Sequence, residues 1–334
     1  MIDWSSGWFP TNYDASKLNS GLIASISSDG EIEWVSNKKT VVEGSYSAKF
    51  TIKAHTHGLI YFSGNPSKFL QGHNLFGSND LRYLLSKTFD ELLKKEELGL
   101  CPDPFQLQSI YDGDYELTRV DVNETWHLDN QHDVVAWIRA VGEKAFLKHR
   151  GTGQFKGDTA YFGKDSERWG LKCYSKGLEI LAKGRQLPPE LCIPEMMEYA
   201  QKALRIEAFI RQKELNKRRI NKVSDWDIDM PEVLLLEYLS KLEMGDVYML
   251  KDDVLNSLPP KLRLVYQSWL NHDDLKTILP RASFYRYRNQ LLAYGLDIST
   301  KSPKEKNNVI PLVRVLEAKP VGIPDWAYEK NLVA

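Results

Sequence analysis

The chain has 334 residues, 42% of them hydrophobic, which is enough to bury a sizeable core in one large domain or two. Its 44 basic and 45 acidic residues nearly cancel, so net charge gives no warrant for nucleic-acid binding and any such surface has to be local. Cys101, Cys173 and Cys192 are too few and too scattered for a disulfide framework or a zinc motif, which fits a reducing compartment. No apolar run approaches the roughly 20 residues that cross a bilayer, and MIDWSSGWFP lacks a signal-peptide core, so a soluble, cytoplasmic protein is expected.

From Gly21 to Gly64 the pattern is β-rich. SSDG at Ser27 to Gly30 is a turn signal between short apolar runs, and Ala48, Phe50, Ile52 and Ala54 alternate with polar neighbours. Asn79 begins a helical pattern through Leu81, Tyr83, Leu84, Phe89, Leu92 and Leu93. In LTRVDVNETW, Val120 and Val122 oppose Arg119, Asp121 and Asn123 on a half-buried strand. Asp129 or Asn130 then caps a second helix with Val134, Val135, Ile138, Val141 and Phe146 inside. GTGQFKGDT, Gly151 to Thr159, reads as a mobile connection and lacks the spacing of a phosphate loop.

The stretch Asp158 to Ile180 reads as two short strands around a polar turn, followed by the start of a helix or loop. Trp169, Leu171 and Cys173 fall on one face and Lys172, Tyr174 and Lys176 on the other. Prolines 188, 189 and 194 break the chain before a helix near Glu195 to Ala203, and in LRIEAFIR the apolar Ile206, Ala208 and Ile210 oppose Arg205, Glu207 and Arg211. If the strands around Asp121, Tyr174 and Glu207 share a sheet, its polar face collects a tyrosine, carboxylates and bases. That set suits phosphodiester chemistry: a phenol attacks phosphorus, carboxylates hold a divalent cation, and lysine or arginine offsets charge on the non-bridging oxygens. A solvated face of charge pairs is the plainer alternative. The expected class is α+β, an antiparallel sheet with helices on one face.

Arg211 to Lys222 reads as a basic helix, and Ser224 to Pro231 as a linker, dividing the chain into an α+β unit at residues 1–223 and a helical unit at 224–334. Asp273 to Gly295 has helix-turn-helix proportions, with a break at Pro280 and Ser283 as an N-cap candidate. There Arg281, Tyr285, Arg286, Tyr287 and Arg288 are placed to meet phosphates or bases, and Phe284, Leu291, Leu292 and Leu296 supply the apolar side. The end returns to a strand at Val309 to Leu316. Among the histidines, His55 and His57 in AHTHG match a metal-binding pair only superficially, because Thr56 is not hydrophobic. His127, His132, His149 and His272 show no ligand spacing.

Taken together, NPSKFLQGHNLFGSNDL (Asn65 to Leu81), RVD (Arg119 to Asp121), TAYFGKDSERWGLKCYSKGLE, LRIEAFIR, LPRASFYRYR and the tail NNVIPLVRV followed by PDW resemble the replication initiators of filamentous phages, the gene II product family. The blocks keep the family's order from about Gly58 to the C-terminus, whereas Met1 to His57 matches less clearly. The resemblance implies a site- and strand-specific endonuclease that nicks the double-stranded replicative form. Such an enzyme stays attached to the 5′ phosphate through a tyrosine and later rejoins the displaced strand. A non-catalytic origin-binding protein of the same fold is the alternative.

The resemblance offers two nucleophiles. Tyr174, in KCYSK, sits where the phage family's proposed nucleophile falls and is favoured because Lys172 and Lys176 flank it; Tyr161, in TAYFG, matches the plasmid initiators. For Mg²⁺ or Mn²⁺, Asp121 is the first candidate, His73 and Glu207 follow, and Glu179 serves as ligand or base. In-sheet pairing of Asp121 with Arg119 and of Glu207 with Arg205 is the plainer use of those carboxylates. Asn74 and Arg119 join Arg281, Tyr285, Arg286 and Arg288 as candidate DNA contacts. The implied partners are the phage origin in the bacterial host cytoplasm, host helicase and DNA polymerase, with no membrane and with room for a homo-oligomer on the origin.

Overall fold

Alternation along the chain decides most of the strands, and the computed structural model describes residues 1–18, 21–55, 58–148, 151–244, 258–271, 273–294, 296–299 and 319–333. The first half runs β1 (Ile2–Pro10), the hairpin β2 (Leu22–Ile26) and β3 (Ile32–Asn37), β4 (Thr40–Glu43), β5 (Lys49–Ala54), β6 (Leu59–Gly64), α1 (Pro66–Gln71), α2 (Leu81–Leu93), α3 (Pro104–Asp112), β7 (Leu117–His127) and α4 (Gln131–Lys144). Then follow β8 (Ala145–Leu147), β9 (Gly151–Thr152), β10 (Gln154–Lys156), β11 (Thr159–Phe162), β12 (Trp169–Ser175), α5 (Lys176–Leu181), α6 (Pro194–Lys202), β13 (Ala203–Arg211), α7 (Gln212–Arg218), α8 (Met230–Leu239) and β14 (Leu242–Met244).

Nine strands form one antiparallel sheet in the order β10-β11-β12-β13-β7-β1-β6-β5-β4. Its apolar face carries Phe9, Phe50, Ile52, Phe62, Val120, Val122, Ile206, Ala208, Leu171 and Cys173, all buried. Helices α2, α4 and α8 close that face with residues such as Leu84, Phe89, Trp137, Ile138, Leu235 and Tyr238, in one continuous core. Each large apolar side chain buried in this way contributes about 1.5–3 kcal/mol, and the helices hold to the sheet chiefly through that term. Their ends are set locally: Asp80 accepts from Tyr83 N at the start of α2, and Asn130 from His132 N and Asp133 N at the start of α4. Asn130, not Asp129, is therefore the cap.

Several expectations give way to packing. The N-terminal segment is β1, a central strand between β7 and β6. The glycine-rich stretch after residue 150 is not a loose connection: β10 forms the sheet edge, and Gly153 donates to Gly142 O (3.0 Å) where a Cβ would meet the Gly142 backbone at 2.7 Å. Lys176 is the first residue of α5, so the alternation of β12 stops at Ser175. The basic run forms only the short α7, in which Arg218 pairs with the buried Glu214 and forks Glu237. The linker at 224–231 leads directly into α8, whose Leu234, Leu235, Tyr238 and Leu239 join the main core, and Trp169 lies 4.4 Å from the Tyr238 ring. The sheet unit thus runs on through β14, which pairs with β8.

The separate helical unit comprises α9 (Pro260–Leu270), α10 (Leu275–Ile278) and α11 (Arg281–Leu292), around Leu262, Tyr266, Trp269, Leu275, Phe284 and Leu291. Pro280 is the N-cap of α11, so Ser283 lies inside the helix and caps nothing. The expected strand at Val309 to Leu316 lies outside the described residues, as do His57, His149 and His272. The C-terminal segment, with α12 (Asp325–Glu329), returns to the sheet unit, where Val321 N donates to Thr125 O at 2.7 Å. It shares a second apolar cluster with Leu75, Phe76, Ile180, Met196 and Tyr199. No helix among the described residues is long and apolar enough to cross a membrane.

Candidate active site

Strand register brings the sequence candidates onto shared rungs. Tyr161 of β11 lies opposite Lys172, Lys172 opposite Glu207, and Glu207 opposite Asn123. On the next rung Tyr174 faces Arg205, and Arg205 faces Thr125. Asp121 lies opposite Trp4 on β1. One end of this polar face is covered by the 73–76 loop, because the buried Arg205 donates to Asn74 O (2.6 Å), Leu75 O (2.7 Å) and Thr125 Oγ1 (3.2 Å). A guanidinium with three fixed acceptors positions the loop more tightly than packing alone.

The carboxylates are already partnered by cations. Arg119 forks Asp121 through Nε (2.7 Å) and Nη2 (2.5 Å). Lys172 Nζ lies 2.5 Å from Glu207 Oε1, so Glu207 pairs with Lys172 and not with Arg205, whose donors go to the loop and Thr125. Lys176 Nζ meets Glu179 Oε2 at 2.5 Å and donates to Asn74 Oδ1 at 2.8 Å. Burial works against ionisation at Glu179, but the Lys176 ammonium overcomes it and holds the carboxyl below its usual range. Glu207 goes the other way: burial, together with nearby Asp3 and Asp121, pushes its carboxyl well up despite Lys172.

His73 stands apart from this group. Its Nδ1 accepts from Leu75 N (3.2 Å) and its Nε2 lies 2.9 Å from Leu332 O, so both ring nitrogens are engaged in holding the loop and the C-terminal segment. Burial lowers its pKa to about 4. Among the described residues no three histidine, cysteine, aspartate or glutamate side chains converge on a single point.

The two tyrosines differ sharply. Tyr174 is buried, its hydroxyl points at Glu207 Oε2 (3.4 Å), and burial followed by the Glu179 and Glu207 charges pushes the phenol well above its ordinary value. The expected help from flanking lysines is missing: Lys172 lies over the ring (5.3 Å) with its charge spent on Glu207, and Lys176 is spent on Glu179. Tyr161 is only half-buried, with Lys164 Nζ 5.8 Å from its ring. Both phenols nonetheless line one pocket of about 190 Å³ with Lys172, Glu179 and Arg185.

Sequence reasoning missed Asp3, Asn65 and the place of Asn123. Asp3 is buried at a register shift in β1 and accepts from Asn65 Nδ2 (3.0 Å) and Asn74 Nδ2 (2.8 Å). Burial opposes its charge, yet Lys172, Lys176 and Arg205 hold it below the usual carboxylate range. Asn74 therefore orders the site by bridging Asp3 and Lys176. Asn123 is fully buried and neither of its amide atoms has a partner. A buried amide left unsatisfied costs free energy, which makes Asn123 the side chain here most in need of a ligand. Alternation in LTRVDVNETW put Asn123 on the polar face, but nothing in a local pattern signals that isolation.

In the helical unit the candidates separate. Arg281, Tyr285 and Arg286 are exposed, and Arg286 lies over the Tyr287 ring at 4.9 Å. Arg288 forks Asp297 at 2.7 and 2.6 Å, which ties α11 to the following turn.

The family model for the N-terminal part of the phage replication-associated protein, the gene II product, matches residues 1–229, and the model for its C-terminal part matches residues 250–333. The chain belongs to the gene II replication-associated protein family. The member from Enterobacteria phage I2-2 is 34% identical over 338 residues, covering 97% of this chain and 95% of that one. The replication-associated protein of Enterobacteria phage M13 is 23% identical, over 82% of this chain and 78% of its own length. A solved rolling circle replication initiator from Geobacillus stearothermophilus aligns with a TM-score of 0.31 at 11% identity, over 76% of this chain and 89% of that one. The family match begins at residue 1, so β1, with Asp3 and Trp4, lies within the family region although the sequence blocks suggested a start near Gly58.

Proposed function

We propose that this chain initiates rolling-circle replication of a filamentous phage by nicking one strand of the replicative form through a tyrosyl-DNA intermediate. The observation that carries it is the shared pocket of Tyr161 and Tyr174, lined by Lys172, Glu179 and Arg185 and backed by the buried Asp3, Asp121 and Glu207. We assign the attack to Tyr161, because it is only half-buried at this pocket, whereas Tyr174 is buried with its hydroxyl turned to Glu207.

Tyr161 Oη forms a bond to phosphorus, the bond from phosphorus to the 3′ oxygen breaks, and the chain end takes a proton from solvent and leaves as a 3′ hydroxyl. The phenol proton passes to Glu179, the ionised carboxylate of the same pocket, while Lys172 and Arg185 offset charge on the non-bridging oxygens. The later attack of a 3′ hydroxyl on the phosphotyrosine reverses these steps and closes the circle. Tyr174 orients Glu207 and stands ready as a second acceptor.

The donors suited to a hard divalent cation such as Mg²⁺ or Mn²⁺ are the oxygens of Asp3, Asp121 and Glu207 and the unpartnered Asn123 amide, which do not converge on one point as they stand and would have to be drawn together to hold it. Such an ion would bind in exchange for Arg119 and Lys172, and it supplies Lewis-acid polarisation of the phosphate. His73 is outside this set. The test is supercoiled plasmid carrying the phage origin, incubated with protein and Mg²⁺, with the DNA-linked peptide mapped by mass spectrometry. Relaxed circles with an adduct on the peptide containing Tyr161 are expected, and chelator should stop the reaction. Full nicking in excess chelator overturns the metal assignment, and no nicking with Mg²⁺, or with Mn²⁺ in its place, overturns the nuclease reading.

A further inference from the structure

The polar face does not end at the candidate active site. Across β1, β6 and β5 it changes from buried carboxylates to half-buried aromatic rings interleaved with cations. Trp4 lies opposite Asp121, with the Arg119 guanidinium 6.0 Å from its ring. Four residues on, Trp8 lies opposite Tyr61, which lies opposite Lys53. The Trp8 and Tyr61 rings meet edge to face at 5.0 Å, His55 lies 4.4 Å from Trp8, and Lys39 Nζ sits 5.8 Å over Tyr61. Between the two tryptophans the side chains are small: Ser6 is opposite Ser63, and Ser63 is opposite Thr51.

Strand geometry puts Trp4 and Trp8 about 13 Å apart on one face. Ser6 and Ser63 between them are buried, with Ser6 Oγ paired to Thr118 Oγ1 at 2.9 Å, so the half-buried rings, edged by positive charge, form the reachable part of this face. Core packing does not require this arrangement, because the apolar partners of these strands, Phe9, Phe50, Ile52 and Phe62, are already buried on the opposite face. The sheet positions from Trp4 to Trp8, Tyr61 to Ser63 and Lys49 to Lys53 on this face carry no carboxylate.

We propose that this half of the open face is a stacking platform for the single DNA strand that flanks the scissile phosphate, with Trp4, Trp8 and Tyr61 taking bases and Lys39, Lys53 and Arg119 following the phosphates. Rings offer every base a π-face without reading its edges, so binding here is tolerant of sequence and prefers unpaired strands. Continuity with Asp121 through Trp4 would lead the strand into the pocket of Tyr161. The proposal rests on the nicking reading but has its own readout.

Binding of a fluorescein-labelled oligothymidylate of roughly 12 nucleotides is measured by anisotropy with the full chain in chelator, so that affinity is read apart from cleavage. Trp8→Ala and Tyr61→Leu should each weaken single-strand binding roughly tenfold or more, with Trp8→Phe keeping most of the affinity. Lys53→Ala should leave the fold intact and lower the salt slope by about 0.7, one single-strand phosphate contact. Variants that melt like the wild type and bind the oligonucleotide equally well overturn the platform, as does a wild type that binds no single strand. Should Trp8→Ala fail to fold, Tyr61→Leu and Lys53→Ala decide the matter. If nicking fails while these affinities fall as stated, the platform stands and the nuclease reading does not; unchanged affinities with nicking intact leave the nuclease and overturn the platform.

Discussion

Tyr174 and Tyr161 show how far a residue's chemistry depends on its neighbours. The motif KCYSK places two ammonium groups beside a phenol in sequence, but in space each ammonium faces a carboxylate and the phenol faces Glu207. Tyr161→Phe is therefore expected to abolish the covalent adduct, whereas Tyr174→Phe should retain it at a reduced rate. The measurement is retention of labelled origin DNA on denatured protein; adduct in Tyr161→Phe and none in Tyr174→Phe would reverse the assignment. His73 gives a second expectation. Its folded pKa is about 4 against 6.5 for an ordinary histidine, so between those values the unfolded chain holds the extra proton. Its contribution is fully present above pH 6.5 and is lost as pH falls toward 4, about 3 kcal/mol in all. Urea melts from pH 7.5 to 4.5 should show that loss, and His73→Gln should flatten it; an equal slope in the variant would place the acid sensitivity elsewhere.

At the scale of elements, α11 carries two arginines with different duties. Arg286 is exposed and stacked on Tyr287, ready for a phosphate, while Arg288 closes a fork on Asp297. Arg286→Ala should weaken duplex binding and lower the salt slope by about 0.9, with little change in stability. Arg288→Ala should instead cost about 1 kcal/mol in the helical unit, because a partly exposed bidentate pair is lost. Salt-titrated binding and thermal melts of both variants separate the cases; a full loss of slope in Arg288→Ala alone would mean that Asp297 releases it to DNA. The periodicities of α2, α4 and β5 were legible because each buries one face of a regular pattern. The start of α11 was not, because Pro280 and Ser283 are both acceptable near a helix start and only the backbone chooses between them.

For the whole molecule, the C-terminal segment is a structural member of the sheet unit. Ala327, Leu332 and Trp326 pack with Phe76 and Tyr199, and Leu332 O engages His73 in the loop that carries Asn74. Deleting residues 320–334 should lower stability by roughly 3 kcal/mol or more through lost apolar burial, and should weaken nicking by loosening Asn74. Melting temperature and plasmid relaxation report the two effects, and an unchanged melt would show that the segment only rests on the surface. The sequence by itself determined the alternating strands, the amphipathic helices, the family blocks and the residue types of the site, because side-chain period and local caps are properties of short stretches. Tertiary structure decided that β1 enters the middle of the sheet with Asp3, that Asn123 lies buried without a partner, and that Lys172 and Lys176 neutralise carboxylates and leave Tyr174 unassisted. Those outcomes depend on which strands become neighbours, and charges far apart in the chain set each other's ionisation only once the sheet has brought them within a few ångströms.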